Sequence, residues 1–323
     1  MRPALLLIAL LLSGCINLDG VWFNPVPLEA YEPIPFPVLP ESHLEFVELS
    51  SEPVEDEEEG PTIWGVWLHQ CLDSDDASTC ADHSDHPEFR EERQARTILY
   101  FHGNGGNLLE YWDRMQILWR MGYRVFAIDY RGYGRSGGTP SELGVFADAR
   151  TALAHAKRRL ASEIPALDPD APPPAAVLRL GFYGWSLGST AAIDLSTFDA
   201  PSALVTEAAL ASAQAFTNDA IGVGISSSVF LGTQFDNEGK IGSIIAPKLF
   251  AHGTEDSFVK FEFSEALFNA ALEPKRLYPV PGGEHSSVPC PTRDTSIPAT
   301  EVPCLATEGY LETVGGFFDE WLL

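Results

Sequence analysis

At 323 residues, 45% hydrophobic and 20% charged, the chain has an ordinary globular composition and is long enough for one large domain or two small ones. Its 20 Lys and Arg stand against 46 Asp and Glu, a formal net charge of −26. Such a surface repels nucleic acid phosphates and offers no basic patch to bind them, which argues against a nucleic-acid partner.

Arg2 precedes an apolar run over residues 4–12 that is too short to cross a bilayer as a stable helix. It closes on Leu12-Ser13-Gly14-Cys15, which resembles a bacterial lipobox. That resemblance implies cleavage before Cys15, lipid modification of Cys15, and an exported protein held to a membrane of the cell envelope on its periplasmic or outer-surface side. An ordinary signal peptide with a chance cysteine is the alternative. Of five cysteines, setting Cys15 aside leaves Cys71, Cys80, Cys290 and Cys304. Their spacing suggests two local pairs, Cys71–Cys80 and Cys290–Cys304, although four cysteines formally allow three connectivities. Disulfides fit an oxidising location. Pro25, Pro27, Pro33, Pro35, Pro37 and Pro40 make residues 15–42 read as an extended, lipid-anchored tether. The expected organisation is therefore a signal peptide over 1–14, the tether, and one domain over 43–323. That domain carries an insertion near 70–96 and a stapled loop near 290–304.

Runs 43–49 and 63–68 alternate as two strands should, and the acidic run 52–59 between them reads as a solvated hairpin loop. The 70–96 insertion holds Asp82, His83, Asp85 and His86, but no helix sets them on one face, so they are not read as a metal site. Short apolar runs at 97–102, 125–130, 178–184, 203–206 and 248–252 suit strands buried on both faces of a parallel sheet. Leu108, Trp112, Met115 and Trp119 form one helical stripe, and Tyr310, Val314, Phe317 and Trp321 form another. Thr139-Pro140-Ser141-Glu142 has the form of a capping box, with proline at the first helical position, and predicts a helix to about Leu160. Alternating strands and helices imply an α/β fold, a doubly wound and mostly parallel sheet. Residues 213–242 carry Phe216, Ile221, Val223, Ile225, Val229, Phe230 and Leu231. They read either as an acyl-chain wall or small cap, or as a helix packed on the sheet.

Gly184-Trp185-Ser186-Leu187-Gly188 lies between an apolar strand and a small-residue helix over 189–196, the context a nucleophile elbow needs. A serine hydroxyl attacks well only when a base takes its proton, so a carboxylate and a histidine are expected downstream in that order. Asp256, just beyond the 248–252 strand, is the expected acid, with Glu255 and Glu207 as fallbacks. His285, in Gly282-Gly283-Glu284-His285 after a strand over 276–280, is the expected base, while His252 ends a strand and reads as structural. The oxyanion donors expected are the backbone N–H groups of Leu187 and Asn104. Asn104 lies in His102-Gly103-Asn104-Gly105-Gly106-Asn107, where Gly103 and Gly105 let the backbone approach a substrate. That loop lacks the lysine and Ser/Thr of a phosphate-binding P-loop.

Taken in order, these motifs, with Asp129-Tyr130-Arg131-Gly132-Tyr133-Gly134-Arg135-Ser136 and His252-Gly253-Thr254-Glu255-Asp256, resemble the α/β-hydrolase superfamily. The similarity is greatest to the alpha/beta hydrolase domain-containing group that includes depalmitoylases and monoacylglycerol or lysophospholipid lipases. The resemblance implies a Ser186–His285–Asp256 triad, a structural role for residues 129–136, and no metal or organic cofactor. It implies hydrolysis of an ester or thioester, with a small-molecule or lipid acyl ester as substrate and a membrane met through the anchor. An amidase or peptidase of the same fold, and a non-catalytic envelope scaffold, are the alternatives.

Overall fold

The computed structural model describes residues 22–31, 43–54, 57–70, 96–162, 179–221, 234–289 and 307–322. Cys15, Cys71, Cys80, Cys290 and Cys304, the Asp82–His86 cluster, and Val223 to Leu231 of the apolar segment lie outside them.

Runs of β-branched, aromatic and small apolar residues form the strands because they can be buried on both pleated faces. Eight strands make one sheet: β1 Leu44–Ser50, β2 Thr62–Leu68, β3 Thr97–Phe101, β4 Arg124–Asp129, β5 Leu180–Trp185, β6 Ala203–Glu207, β7 Lys248–Gly253 and β8 Lys275–Val280. Their spatial order is β8-β7-β6-β5-β3-β4-β2-β1. β1 pairs antiparallel with β2, and β2 antiparallel with β4. The remaining pairs are parallel. Every residue of β3 to β7 is buried.

The helices are α1 Trp112–Arg120, α2 Glu142–Ser162, α3 Leu187–Phe198, α4 Ala213–Ile221, α5 Asn237–Ile241, α6 Phe261–Ala270 and α7 Glu308–Leu322. Successive strand residues feed opposite faces. Leu99, Phe101, Phe126 and Phe182 pack into a core with α2 and α3, and Ile98, Tyr100, Val125 and Tyr183 into a second with α1 and α7. Both predicted stripes face the sheet, with Leu108, Trp112, Met115 and Trp119 on one and Tyr310, Val314 and Phe317 on the other all buried. The α2 cap differs from the capping-box expectation. Ser141 is the residue whose Oγ accepts from Gly144 N–H at 3.1 Å, and the helix starts at Glu142. The Glu142 carboxylate instead accepts from the N–H groups of Gln234 and Phe235 at 2.6 and 2.8 Å.

Two surface segments expected to be solvated are tied to the domain. In the acidic hairpin loop, Glu57 and the Glu52 carbonyl accept from the buried Arg131 guanidinium at 3.0 and 2.9 Å, beside its buried pair with Asp148. Residues 22–31, expected as part of the tether, lie along the domain. Asn24 and Pro25 form a short parallel ladder with Gly105 and Gly106, Phe23 and Tyr31 are buried, and Tyr31 donates to Asp129.

Candidate active site

The chain leaves β3 for β4 on one side, then crosses back to β5 on the other. In such a sheet the crevice lies at the carboxyl ends of the two strands where the winding reverses. Phe101 of β3 is in register with Gly184 of β5, so the 102–107 loop and Ser186 emerge side by side.

Ser186 takes φ 53° and ψ −119°, a left-handed conformation that costs a side chain on the order of 1–3 kcal/mol. A β-carbon on Gly184 would sit 2.3 Å from the Gly188 carbonyl oxygen, and one on Gly188 would sit 2.0 Å from that of Phe101. The spacing of the motif is therefore a packing requirement, and the strain at Ser186 is held by its N–H donating to Glu207 O at 2.8 Å.

Asp256 and His285 come from the loops after β7 and β8. The Glu255 N–H donates to Gly283 O at 3.0 Å, locking the two loops together. His285 Nε2 lies 3.0 Å from Ser186 Oγ, and His285 Nδ1 lies 2.8 Å from Asp256 Oδ2. Asp256 Oδ1 accepts from the N–H groups of Phe258 and Val259 at 2.9 and 2.8 Å. Burial works to raise the Asp256 carboxyl, but hydrogen bonds from His252 and His285 outweigh it and hold the group well below the usual carboxylate range. His252 is wholly buried, with Nδ1 2.6 Å from Ser264 Oγ and Nε2 2.7 Å from Val259 O. A neutral ring with the proton on Nε2 satisfies both, and that proton also faces Asp256 Oδ2 at 3.2 Å.

Of the fallback acids, Glu255 is exposed. Glu207 is buried but committed elsewhere. Its carboxylate binds Arg114, Tyr183 and Tyr310, the last at 2.8 Å. Arg114 in turn donates to Ser286 O at 2.7 Å and stacks 4.2 Å over the Trp185 ring. Trp185 Nε1 donates to His285 O at 3.3 Å. This network braces the His285 loop from beneath, and Arg114, Tyr183 and Tyr310 escape a reading of motifs. The one signal the sequence offers is a charged Asp113-Arg114 pair inside an apolar helical stripe.

The 102–107 loop is fastened by its carbonyls. Tyr130, Tyr133 and Tyr111 hydroxyls donate to the carbonyls of His102, Asn104 and Gly105 at 2.9, 2.8 and 2.6 Å. His102 Nδ1 lies 2.8 Å from Gly103 O. In a trans peptide the N–H opposes the C=O, so tying Gly103 O to the buried His102 ring turns the Asn104 N–H the other way. Leu187 N–H, at the first position of α3, has no intrahelical acceptor. Asn104, Ser186 and Leu187 line a cavity of about 200 Å³ whose other walls include Trp22, Leu210, Phe216, Ala220, Phe258 and Val259. The described part of the 213–242 segment thus supplies a pocket wall through α4. The arrangement provides a serine beside an imidazole, an ionised carboxylate behind the ring, and backbone donors next to an apolar slot. No group of three or more potential metal ligands occurs among the described residues.

Glu207→Gln leaves the Arg114 guanidinium buried without its counter-charge, so it should destabilise the fold by about 3 kcal/mol. The drop in urea midpoint against the unaltered chain measures this, and an unchanged midpoint would refute the bracing network.

A family model described as serine aminopeptidase, S33 matches residues 92–229. The uncharacterized protein YfhR of Escherichia coli (strain K12) is 32% identical over 193 residues, which are 58% of this chain and 62% of that protein. Alpha/beta hydrolase domain-containing protein 17B of Xenopus laevis is 28% identical over 197 residues, 59% of this chain and 61% of that protein. The chain thus spans about three fifths of the length of the curated relatives it matches. Among solved structures, the Pyrococcus furiosus esterase Pf2001 superposes with a TM-score of 0.58 at 16% identity, covering 93% of this chain and 100% of that one. The hypothetical protein PA2218 from Pseudomonas aeruginosa gives 0.55 at 17% identity, covering 91% and 98%. The sheet order and these superpositions show the α/β-hydrolase fold, and in sequence the chain is similar to an alpha/beta hydrolase domain-containing protein over about three fifths of its length.

Proposed function

We propose that the chain is a serine hydrolase that cleaves carboxylic esters or thioesters through an acyl-enzyme. The observation that carries this is the unbroken row Ser186–His285–Asp256, at 3.0 and 2.8 Å, opening onto an apolar pocket. Ser186 Oγ attacks the substrate carbonyl as its proton passes to His285 Nε2. Asp256 fixes the ring with Nδ1 protonated and stabilises the imidazolium that forms. The Leu187 and Asn104 N–H groups receive the oxyanion. His285 then gives the proton to the departing alkoxide or thiolate, leaving an acyl ester on Ser186. A water activated by the same imidazole cleaves that ester and restores the serine. The likeness to an esterase fold supports hydrolysis of this kind.

The matched family description favours a second reading, removal of an N-terminal amino acid. That substrate brings a free ammonium, which a buried site must meet with a carboxylate. No described residue lining the cavity is acidic, which favours an uncharged acyl group instead.

Ser186→Ala and His285→Ala should each lower kcat/KM by at least about a thousandfold while leaving thermal unfolding near its original temperature. The cavity of about 200 Å³ has room for roughly seven non-hydrogen atoms at liquid density. Initial rates on p-nitrophenyl esters should accordingly peak at acyl chains of about four to eight carbons. Wild-type-like rates in either variant would remove that residue from the mechanism.

The low Asp256 carboxyl also predicts a stability profile. Its contribution is fully present above about pH 4, the range of an unfolded carboxylate, and is lost as pH falls toward the depressed folded value. Urea midpoints should fall below pH 4 in the unaltered protein and more shallowly in Asp256→Asn. Parallel curves would contradict the assignment.

We also propose that the protein is held in the cell envelope by a lipid on Cys15, as its lipobox-like leader implies. Cys15→Ser should move it from the membrane to the soluble fraction; retention in the membrane fraction would end that reading.

A further inference from the structure

The walls of the pocket form a closed circuit, and one member of that circuit comes from outside the α/β domain. His285 lies 3.0 Å from Ser186, and its ring centre lies 5.0 Å from that of Phe258. Phe258 meets Phe216 at 5.3 Å, and Phe216 meets Trp22 at 5.4 Å. The circuit closes where the Trp22 carbonyl accepts from the Asn104 side chain at 3.4 Å, back at the loop beside Ser186. Trp22 precedes the first strand of the domain by more than twenty residues of chain, so its position depends on how residues 22–28 are held.

They are held firmly. Asn24 and Val26 N–H groups donate to the Asn104 and Gly106 carbonyls at 3.0 and 2.9 Å, and the Leu28 N–H to Gly134 O at 2.7 Å. Asn107 Nδ2 donates to Val26 O at 3.0 Å. Phe23 is buried against Phe235, and the Trp22 ring meets Phe235 edge-on at 5.6 Å. An indole fixed at both its backbone and its ring acts as a rigid wall.

We propose that Trp22 is a specificity-determining residue that sets the depth of the acyl pocket, so that residues 22–28 are part of the active site. The inference rests on the ester-hydrolysis reading for its substrate class. With the indole in place the cavity is closed on that side and takes short acyl groups. Removing it joins the cavity to the volume the ring vacates and admits longer chains.

The test compares the full-length chain with its Trp22→Ala and Trp22→Phe variants. kcat/KM is measured on p-nitrophenyl butanoate and decanoate. Trp22→Ala should raise the decanoate-to-butanoate ratio about tenfold or more, the scale by which a few methylenes are discriminated in an apolar pocket. Trp22→Phe, which keeps most of the wall, should stay within about threefold of the unaltered ratio. A second arm needs no catalysis. In a Ser186→Ala background, the rise in Tm with butanoate, hexanoate, octanoate or decanoate at one concentration reports which chain the pocket accepts. Trp22→Ala should move the largest rise to a longer acid. A uniform loss of rate at both lengths, or an unchanged order of Tm shifts, would overturn the proposal and leave Trp22 with a packing role. If the unaltered chain shows no Ser186-dependent turnover, the ester reading fails while the fatty-acid arm still decides the role of Trp22.

Discussion

α3 begins so near the end of β3 that Gly188 has no room for a β-carbon beside the Phe101 carbonyl. That one close approach organises the crevice. It forces the turn between β5 and α3 to be tight, which drives Ser186 to φ 53° and lifts its hydroxyl above the sheet edge. It also sets the first N–H of α3 beside the loop that leaves β3. A strained serine conformation persists only where the surroundings over-determine it. Here β5 is buried between β3 and β6, and the Ser186 N–H is bound to the end of β6.

Two buried carboxylates at neighbouring strand ends have opposite tasks. Asp256 is met by two backbone N–H groups and two imidazoles, all of which favour its ionised form while leaving His285 free to turn toward Ser186. Glu207 is met by a guanidinium and two phenols. Burial and the Glu207 charge push the Tyr183 phenol up, so it remains a neutral donor. Burial raises the Tyr310 phenol as well, and against burial the Glu207 charge raises the Arg114 guanidinium, so all three partners stay protonated donors and Glu207 holds them in place. The two sites meet through the loop bearing His285, where Arg114 grips Ser286 and Trp185 grips His285 itself. The geometry of the base is thus fixed from both sides of the sheet edge.

Features that depend on periodicity and local sterics are legible in the residues themselves. Strand runs at 97–102 and 248–252 lie within a residue of the observed strands and the second helical stripe within α7, while the first stripe opens on a 3-10 turn over Leu108–Tyr111 before α1, because each needs only the alternation or the 3.6-residue repeat to find its face. Ser186, Asp256 and His285 follow from chain order and strand context, and they come together in space. Partners supplied by folding are not legible in this way. Arg114 and Glu207 are 93 residues apart, and no local pattern distinguishes a buried ion pair from two solvated charges. For the same reason the acidic hairpin reads as wet, although Glu57 reaches a wholly buried Arg131.

The N-terminal segment shows how composition alone can mislead. Asn24-Pro25-Val26-Pro27-Leu28 looks like a spacer, since proline cannot donate to a ladder and favours polyproline II. Along a strand, however, only alternate N–H groups face the same neighbour. The donors used here are Asn24, Val26 and Leu28, and the prolines occupy the two positions between them. Pairing therefore loses nothing to proline on the inner side. On the outer side the missing donors deny a further strand its bonds, which is how edges are protected from association. The prolines that suggest detachment are compatible with docking because of their spacing, which leaves the Asn24, Val26 and Leu28 donors to hold the segment that carries Trp22 into the pocket wall.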